Sequence, residues 1–169
     1  MTTPEAHLLD WLRDAHAMEQ QAETMLKTQA SRIENYGALK SEIEKHIEET
    51  KVQSERLEEC LRLIDGTPSA IKDSAGSTMA VAQGMSGMFA SDEVVKGTLA
   101  SYAFEHMEIA SYRVLIAAAR AAGEERIREL CEESLHEEEA MAGWLAGHMD
   151  EVTDAFIARS AAPEASAKR

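Results

Sequence analysis

Glutamate recurs where an amphipathic helix should carry a leucine. Stepping by alternating threes and fours, one stripe reads Leu8, Leu12, Ala15, Glu19, Ala22, Leu26, Gln29 and Ile33. A second reads Leu39, Ile43, His46, Thr50, Gln53, Leu57, Cys60 and Ile64, with Glu49 on its flank beside His46. A third reads Val95, Thr98, Tyr102, Glu105, Ile109, Tyr112, Ile116 and Ala119, and a fourth Ile127, Leu130, Ser134, Glu137, Met141, Trp144 and His148. Three stripes thus turn a carboxylate inward near mid-length, and the remaining one offers an imidazole. Glu108 stands one turn beyond Glu105. Carboxylates gathered inside a bundle cannot all stay ionised without countercharge. Clustered Glu and His in such a core suit hard or borderline divalent metals, typically iron or manganese, and two cations would offset four carboxylates. Glu19, His46, Glu49, Glu105, Glu108 and Glu137 are the six candidate ligands.

A single glutamate on a helical stripe ordinarily sits at a bundle edge with its head in water. Matching depth argues for the metal reading. Glu19 precedes the first turn by about 17 residues and Glu49 follows it by about 13. Glu105 precedes Gly123 by about 18 and Glu137 follows it by about 14, so both pairs are offset by about one helical turn. Ala17-Met18-Glu19 and Ala103-Phe104-Glu105 echo one another as a weak internal duplication would. His16, one turn before Glu19, could reach the metals or orient that carboxylate. If the fourth helix is rotated, Glu138 replaces Glu137. His106 reads as an orienting or surface residue. Tyr102 and Tyr112 read as core packing with a hydroxyl on a carboxylate, and Cys60 and Cys131 as buried small residues.

The elements that must position these groups are marked by sparse punctuation. Thr3-Pro4-Glu5 is an N-cap, a proline at the first helical position and an early acid. The helix it opens runs to about Glu34, and Asn35-Tyr36-Gly37 is a break. A second helix spans about Ala38 to Ile64 and stops at Asp65-Gly66-Thr67-Pro68. Asp65 to Ala90, rich in Gly, Ser, Ala and Met, reads as a long connection carrying a short helix. Ser91-Asp92-Glu93 caps a third helix ending at Ala122, with Gly123 in the left-handed closing position. Glu124-Glu125 opens a fourth that reaches about Ala158. The expectation is an all-α four-helix bundle with one long crossover between helices two and three: a single domain over 1–159, followed by a disordered tail at 160–169.

Composition narrows the function. The chain has 169 residues with 17 basic and 31 acidic side chains, a net charge of −14. Nucleic acid and anionic membranes, which need clustered Lys and Arg, are thereby excluded as main partners. No apolar run approaches a membrane span, and Met1-Thr2-Thr3-Pro4-Glu5 has neither the basic start nor the apolar stretch of a signal peptide. The expected address is the cytoplasm, with reduced thiols. No C-x-x-C pair offers a rubredoxin-like iron, and the glycines from Gly76 to Gly87 lack the Lys-Ser/Thr ending of a phosphate loop.

Four segments together resemble a known family. They are Leu12-Arg13-Asp14-Ala15-His16-Ala17-Met18-Glu19-Gln20-Gln21, the stretch from His46 through Glu49 and Gln53 to Glu58, Glu105-His106-Met107-Glu108-Ile109-Ala110-Ser111-Tyr112, and Leu135-His136-Glu137-Glu138. The pattern is similar to the YciE/YciF-type ferritin-like proteins of bacterial stress, over roughly Leu8 to Leu145. The resemblance implies a ferritin-like bundle, a homodimer, and a di-metal carboxylate site on Glu19, His46, Glu49, Glu105, Glu108 and Glu137. Oxygen, peroxide or iron handling is the class-level expectation. Glu49 and Glu137 are the expected bridges between two iron or manganese ions. Two departures stand out. The Glu-x-x-His of ferritin-like sites is absent, because Val52 follows Glu49 and Ala140 follows Glu137 at that spacing, and Ala142 stands where relatives carry an acid. The alternative is a non-catalytic bundle that acts by association around a vestigial site.

Overall fold

The computed structural model describes residues 2–65 and 91–162. The expected short helix of the connection, at 66–90, and the tail from 163 lie outside the described residues. Four helices make up the architecture: α1 (Pro4–Arg32), α2 (Gly37–Asp65), α3 (Glu93–Ala122) and α4 (Glu125–Ser160). Helix α1 packs on α2 and α3, and α4 packs on α3 and α2. Short turns make α1/α2 and α3/α4 antiparallel hairpins, as the punctuation requires.

The ends follow local chemistry. The Thr3 hydroxyl accepts from the Ala6 amide, with Pro4 in the first turn, where its missing N–H costs nothing. Helix α1 stops at Arg32, two residues earlier than the sequence suggested, because Ile33 turns extended and is itself buried. Arg32 then reaches across to Glu93 at the start of α3 and ties the two ends together. Gly123 closes α3 at φ 76°, a backbone conformation that penalises any Cβ. Gly123→Ala is expected to cost about 1 kcal/mol. Thermal unfolding should therefore come about 2–4 °C lower, as a scan of the two proteins side by side would show.

The core is divided. One apolar cluster, toward Gly123, gathers Leu8, Leu12, Leu57, Leu61, Leu115 and Ile127. The other, toward the α1/α2 turn, gathers Leu26, Tyr36, Leu39, Ile43, Met141 and Leu145. Between them lies a polar layer, fully enclosed, in which Glu19, His46, Gln53, Glu105, Glu108, Ser134 and Glu138 are all buried. Among the described residues no helix is long and apolar enough to cross a membrane.

Candidate metal centre

Each helix contributes to the polar layer at mid-length: Glu19 from α1, His46 from α2, Glu105 and Glu108 from α3, and Glu138 from α4. None of the five is more than 2% exposed. Nε2 of His46 lies 3.2 Å from Glu105 Oε2 and 3.5 Å from Glu138 Oε2. One ligand atom from each of His46, Glu105 and Glu138 falls within 4.8 Å of the others, close enough to share one metal ion. Nδ1 of His46 faces Glu49 Oε2 at 3.0 Å. A proton held on Nδ1 by that carboxylate leaves the Nε2 lone pair pointing into the layer, the arrangement a metal-binding imidazole needs. Tyr112, fully buried, donates its hydroxyl to Glu19 Oε1.

Acceptors outnumber donors in the layer. Glu19 Oε2, Glu105 Oε2, Glu108 Oε1 and both oxygens of Glu138 are buried without a hydrogen-bond partner. Nearly all buried polar atoms in folded proteins are satisfied, so this concentration of orphaned acceptors at one level needs a cause. A divalent cation supplies one, because it takes oxygen and imidazole nitrogen as ligands and cancels the clustered charge. The donor set fits a metal.

Electrostatics point the same way. Burial pushes the Glu105 carboxyl up to about 8, with the facing His46 pulling in the other direction. Burial also raises Glu19 and Glu108 well above the usual carboxylate range, and the charge of Glu138 adds to both. Burial disfavours the His46 imidazolium, yet the facing carboxylates of Glu105 and Glu138 outweigh it and raise it to about 11. Without a metal, the imidazolium and retained carboxyl protons stand in for the missing cation.

Not every expected ligand joins the cluster. Glu19, His46, Glu105 and Glu108 lie in the layer. Glu137 does not: its carboxylate is clasped by Arg56 at 2.6 and 2.9 Å and accepts from Gln53 Nε2 at 3.0 Å, at the rim of the bundle. Glu138 takes its place. The cause is helix rotation, since the face of α4 that goes inward runs Ser134, Glu138, Met141, Leu145, which is as good a three-four stripe as the one through Glu137. Leu145 is enclosed while Trp144 is half-buried, which the apolar character of Leu145 could have signalled. Glu49 is likewise outside, half-exposed and beside Lys45 at 3.4 Å, where it acts on the layer through His46. The His16 ring is buried, with Nε2 3.5 Å from Glu58, and is not part of the triad. His106 and His136 are exposed.

The DUF892 family, a domain of unknown function, matches residues 3–158. A solved protein from Xanthomonas campestris pv. campestris is 44% identical, with a TM-score of 0.77 over 94% of this chain and 99% of that one. The stress protein YciF of E. coli has the same fold at 23% identity, with a TM-score of 0.77 over 91% of this chain and 99% of that chain. YcfI of Rhodopseudomonas palustris is 28% identical, with a TM-score of 0.70 over 86% of this chain and 94% of that chain.

Proposed function

We propose that this chain, which belongs to the DUF892 family of YciF-type ferritin-like proteins, is a cytoplasmic di-metal protein that handles dioxygen, peroxide or iron under stress. The observation that carries the reading is the set of five buried carboxylate oxygens without a hydrogen-bond partner, on three helices at one level. His46, Glu105 and Glu138 would hold one ion, with Glu19 and Glu108 completing the ligation of a second beside it. Iron or manganese bound there would supply one-electron redox changes and a coordination position for a small oxidant.

The chain's own groups prepare that site. Glu49 keeps the proton of His46 on Nδ1 and so presents Nε2. Tyr112 fixes Glu19 by donating to one oxygen and leaves the other free. The apolar clusters above and below exclude water, which strengthens every charge interaction between them. An apolar line on the outer face of α3, with Leu99 50%, Met107 37% and Val114 47% exposed, supports association of two copies.

Elemental analysis of protein purified without chelator, and again after anaerobic ferrous addition, tests the reading. About two iron or manganese ions per chain are expected. Light scattering on the same sample should give twice the 18.6 kDa of one chain. No metal in either preparation would overturn the site and favour a bundle that works by association alone.

A further inference from the structure

One orphaned acceptor of the layer has no place in the ligand set. Gln53 on α2 is fully buried, and its carbonyl oxygen Oε1 has no hydrogen-bond partner. Its amide nitrogen donates to Glu137 Oε2 at 3.0 Å, and Arg56 in turn clasps Glu137 at 2.6 and 2.9 Å. This clasp fixes the amide. An ionised carboxylate only accepts, so the NH2 group must face Glu137 and the carbonyl oxygen must turn away from it. A carboxyl of the layer can relieve a missing partner by keeping a proton. An amide oxygen cannot, and is satisfied only by a donor or a cation.

Register shows which part of the layer Gln53 borders. Helices α2 and α3 both start in the apolar cluster toward the α1/α2 turn, with Leu39 and Val94. Both run into the cluster toward Gly123, with Leu57 and Leu115. They point the same way, and the 3.2 Å approach of His46 to Glu105 sets their alignment. Gln53 lies seven residues beyond His46, and Tyr112 seven beyond Glu105, about 10 Å along each helix. Gln53 therefore shares a level with Tyr112, whose hydroxyl holds Glu19, and Glu108 stands one turn before Tyr112. Gln53 borders the Glu19 and Glu108 half of the layer, two turns from His46.

We propose that Gln53 Oε1 is a neutral oxygen donor to the second ion, beside Glu19 and Glu108. The proposal rests on the two-ion reading above and adds to it a residue from α2. Charge explains why an amide stands here. Glu19, Glu105, Glu108 and Glu138 carry four negative charges when ionised, which two divalent ions cancel. A further carboxylate would leave a net charge in a dry core, whereas an amide adds an oxygen without one. The additional carboxylate at this level, Glu137, is neutralised at the rim by Arg56 instead. The two positions then differ in kind. The first has the imidazole of His46, and the second has oxygen alone, a set that suits a hard ion such as manganese.

Calorimetric titration of the full chain with manganese tests this without recourse to activity. Wild type should take up two ions. Gln53→Leu should bind the first as wild type does and the second at least about 10-fold more weakly. Glu137→Gln still offers Gln53 an acceptor and should keep both ions. A crystal of manganese-loaded wild type reads the same contact without a substitution, and decides the matter if Gln53→Leu does not fold: Gln53 Oε1 should be a ligand of the ion beside Glu19. Two ions held equally well by Gln53→Leu, or an ion beside Glu19 that Gln53 Oε1 does not touch, would overturn the proposal and leave the two-ion reading standing. Equal weakening of both ions would overturn it as well, because a general defect would explain that. Fewer than two ions in wild type would overturn both readings together.

Discussion

Glu138→Gln is expected to weaken metal binding by roughly 100-fold or more, while Glu137→Gln, its immediate neighbour, changes binding little. Both oxygens of Glu138 are buried and unpartnered, and one stands 3.5 Å from His46 Nε2. Glu137 is already bound to Arg56 and Gln53. The same two variants should part in the metal-free protein. Glu138 raises both Glu19 and Glu108 by charge repulsion, so removing its charge relieves a crowded layer. Metal-free Glu138→Gln should unfold a few degrees higher than wild type at pH 8. Glu137→Gln loses a half-exposed ion pair, worth about 1 kcal/mol or less. Calorimetric titration with manganese, joined to thermal scans in chelator, reads both effects. A metal site on Glu137 would reverse the affinity result and sink the rotation of α4 described above.

The second large effect is a stability that depends oppositely on pH with and without metal. Glu105 is raised from 4.5 to about 8 in the fold, and Glu19 and Glu108 are raised as well. A carboxyl that holds its proton more tightly when folded adds stability below its unfolded value and loses that contribution as pH climbs through the folded one. His46, raised from 6.5 to about 11, adds in the same sense, its contribution complete below 6.5 and lost toward 11. Metal-free protein should therefore melt at progressively lower temperature from about pH 5 to pH 9. Metal ligands must be deprotonated, so a bound divalent ion stabilises more as pH rises. At a thousandfold excess over its dissociation constant the ion contributes about 4 kcal/mol, or roughly 8–16 °C. Thermal scans across that range with chelator and with manganese should diverge. Parallel curves would mean that the layer does not bind the ion.

Most of the fold was legible because helix punctuation and apolar period agree along this chain. Thr3-Pro4, Asn35-Tyr36-Gly37 and Gly123 fall at element ends, and three stripes give the inward face directly. The polar layer was legible for the reason it is costly: Glu19, His46 and Glu105 interrupt stripes that are otherwise mostly apolar. The fourth stripe was ambiguous, since Glu137 and Glu138 are adjacent and each continues a three-four pattern. Leu145 against Trp144 is a weak hint, and the partner that holds Glu137 at the rim, Arg56, lies 81 residues away in sequence on another helix. Glu49 has the same character. Its spacing from His46 is right for a ligand, but the backbone angle at that step turns its head to the rim, where Lys45 waits.

The division of the core by a charged layer also governs how the four helices can be assembled. Two uninterrupted greasy cylinders can slide past each other by a turn, about 5.4 Å, and still find apolar neighbours. These cannot. A one-turn slip of α1 would set Glu19 against the side chains of an apolar cluster, and a slip of α4 would do the same to Glu138 while leaving His46 with one acid fewer. Each wrong alignment buries a lone charge in hydrocarbon, which is among the heaviest penalties a folded chain can incur. The carboxylates thus act as a key as well as a ligand set. They reject misaligned bundles that leucine packing alone would tolerate, and they do so whether or not a metal is bound.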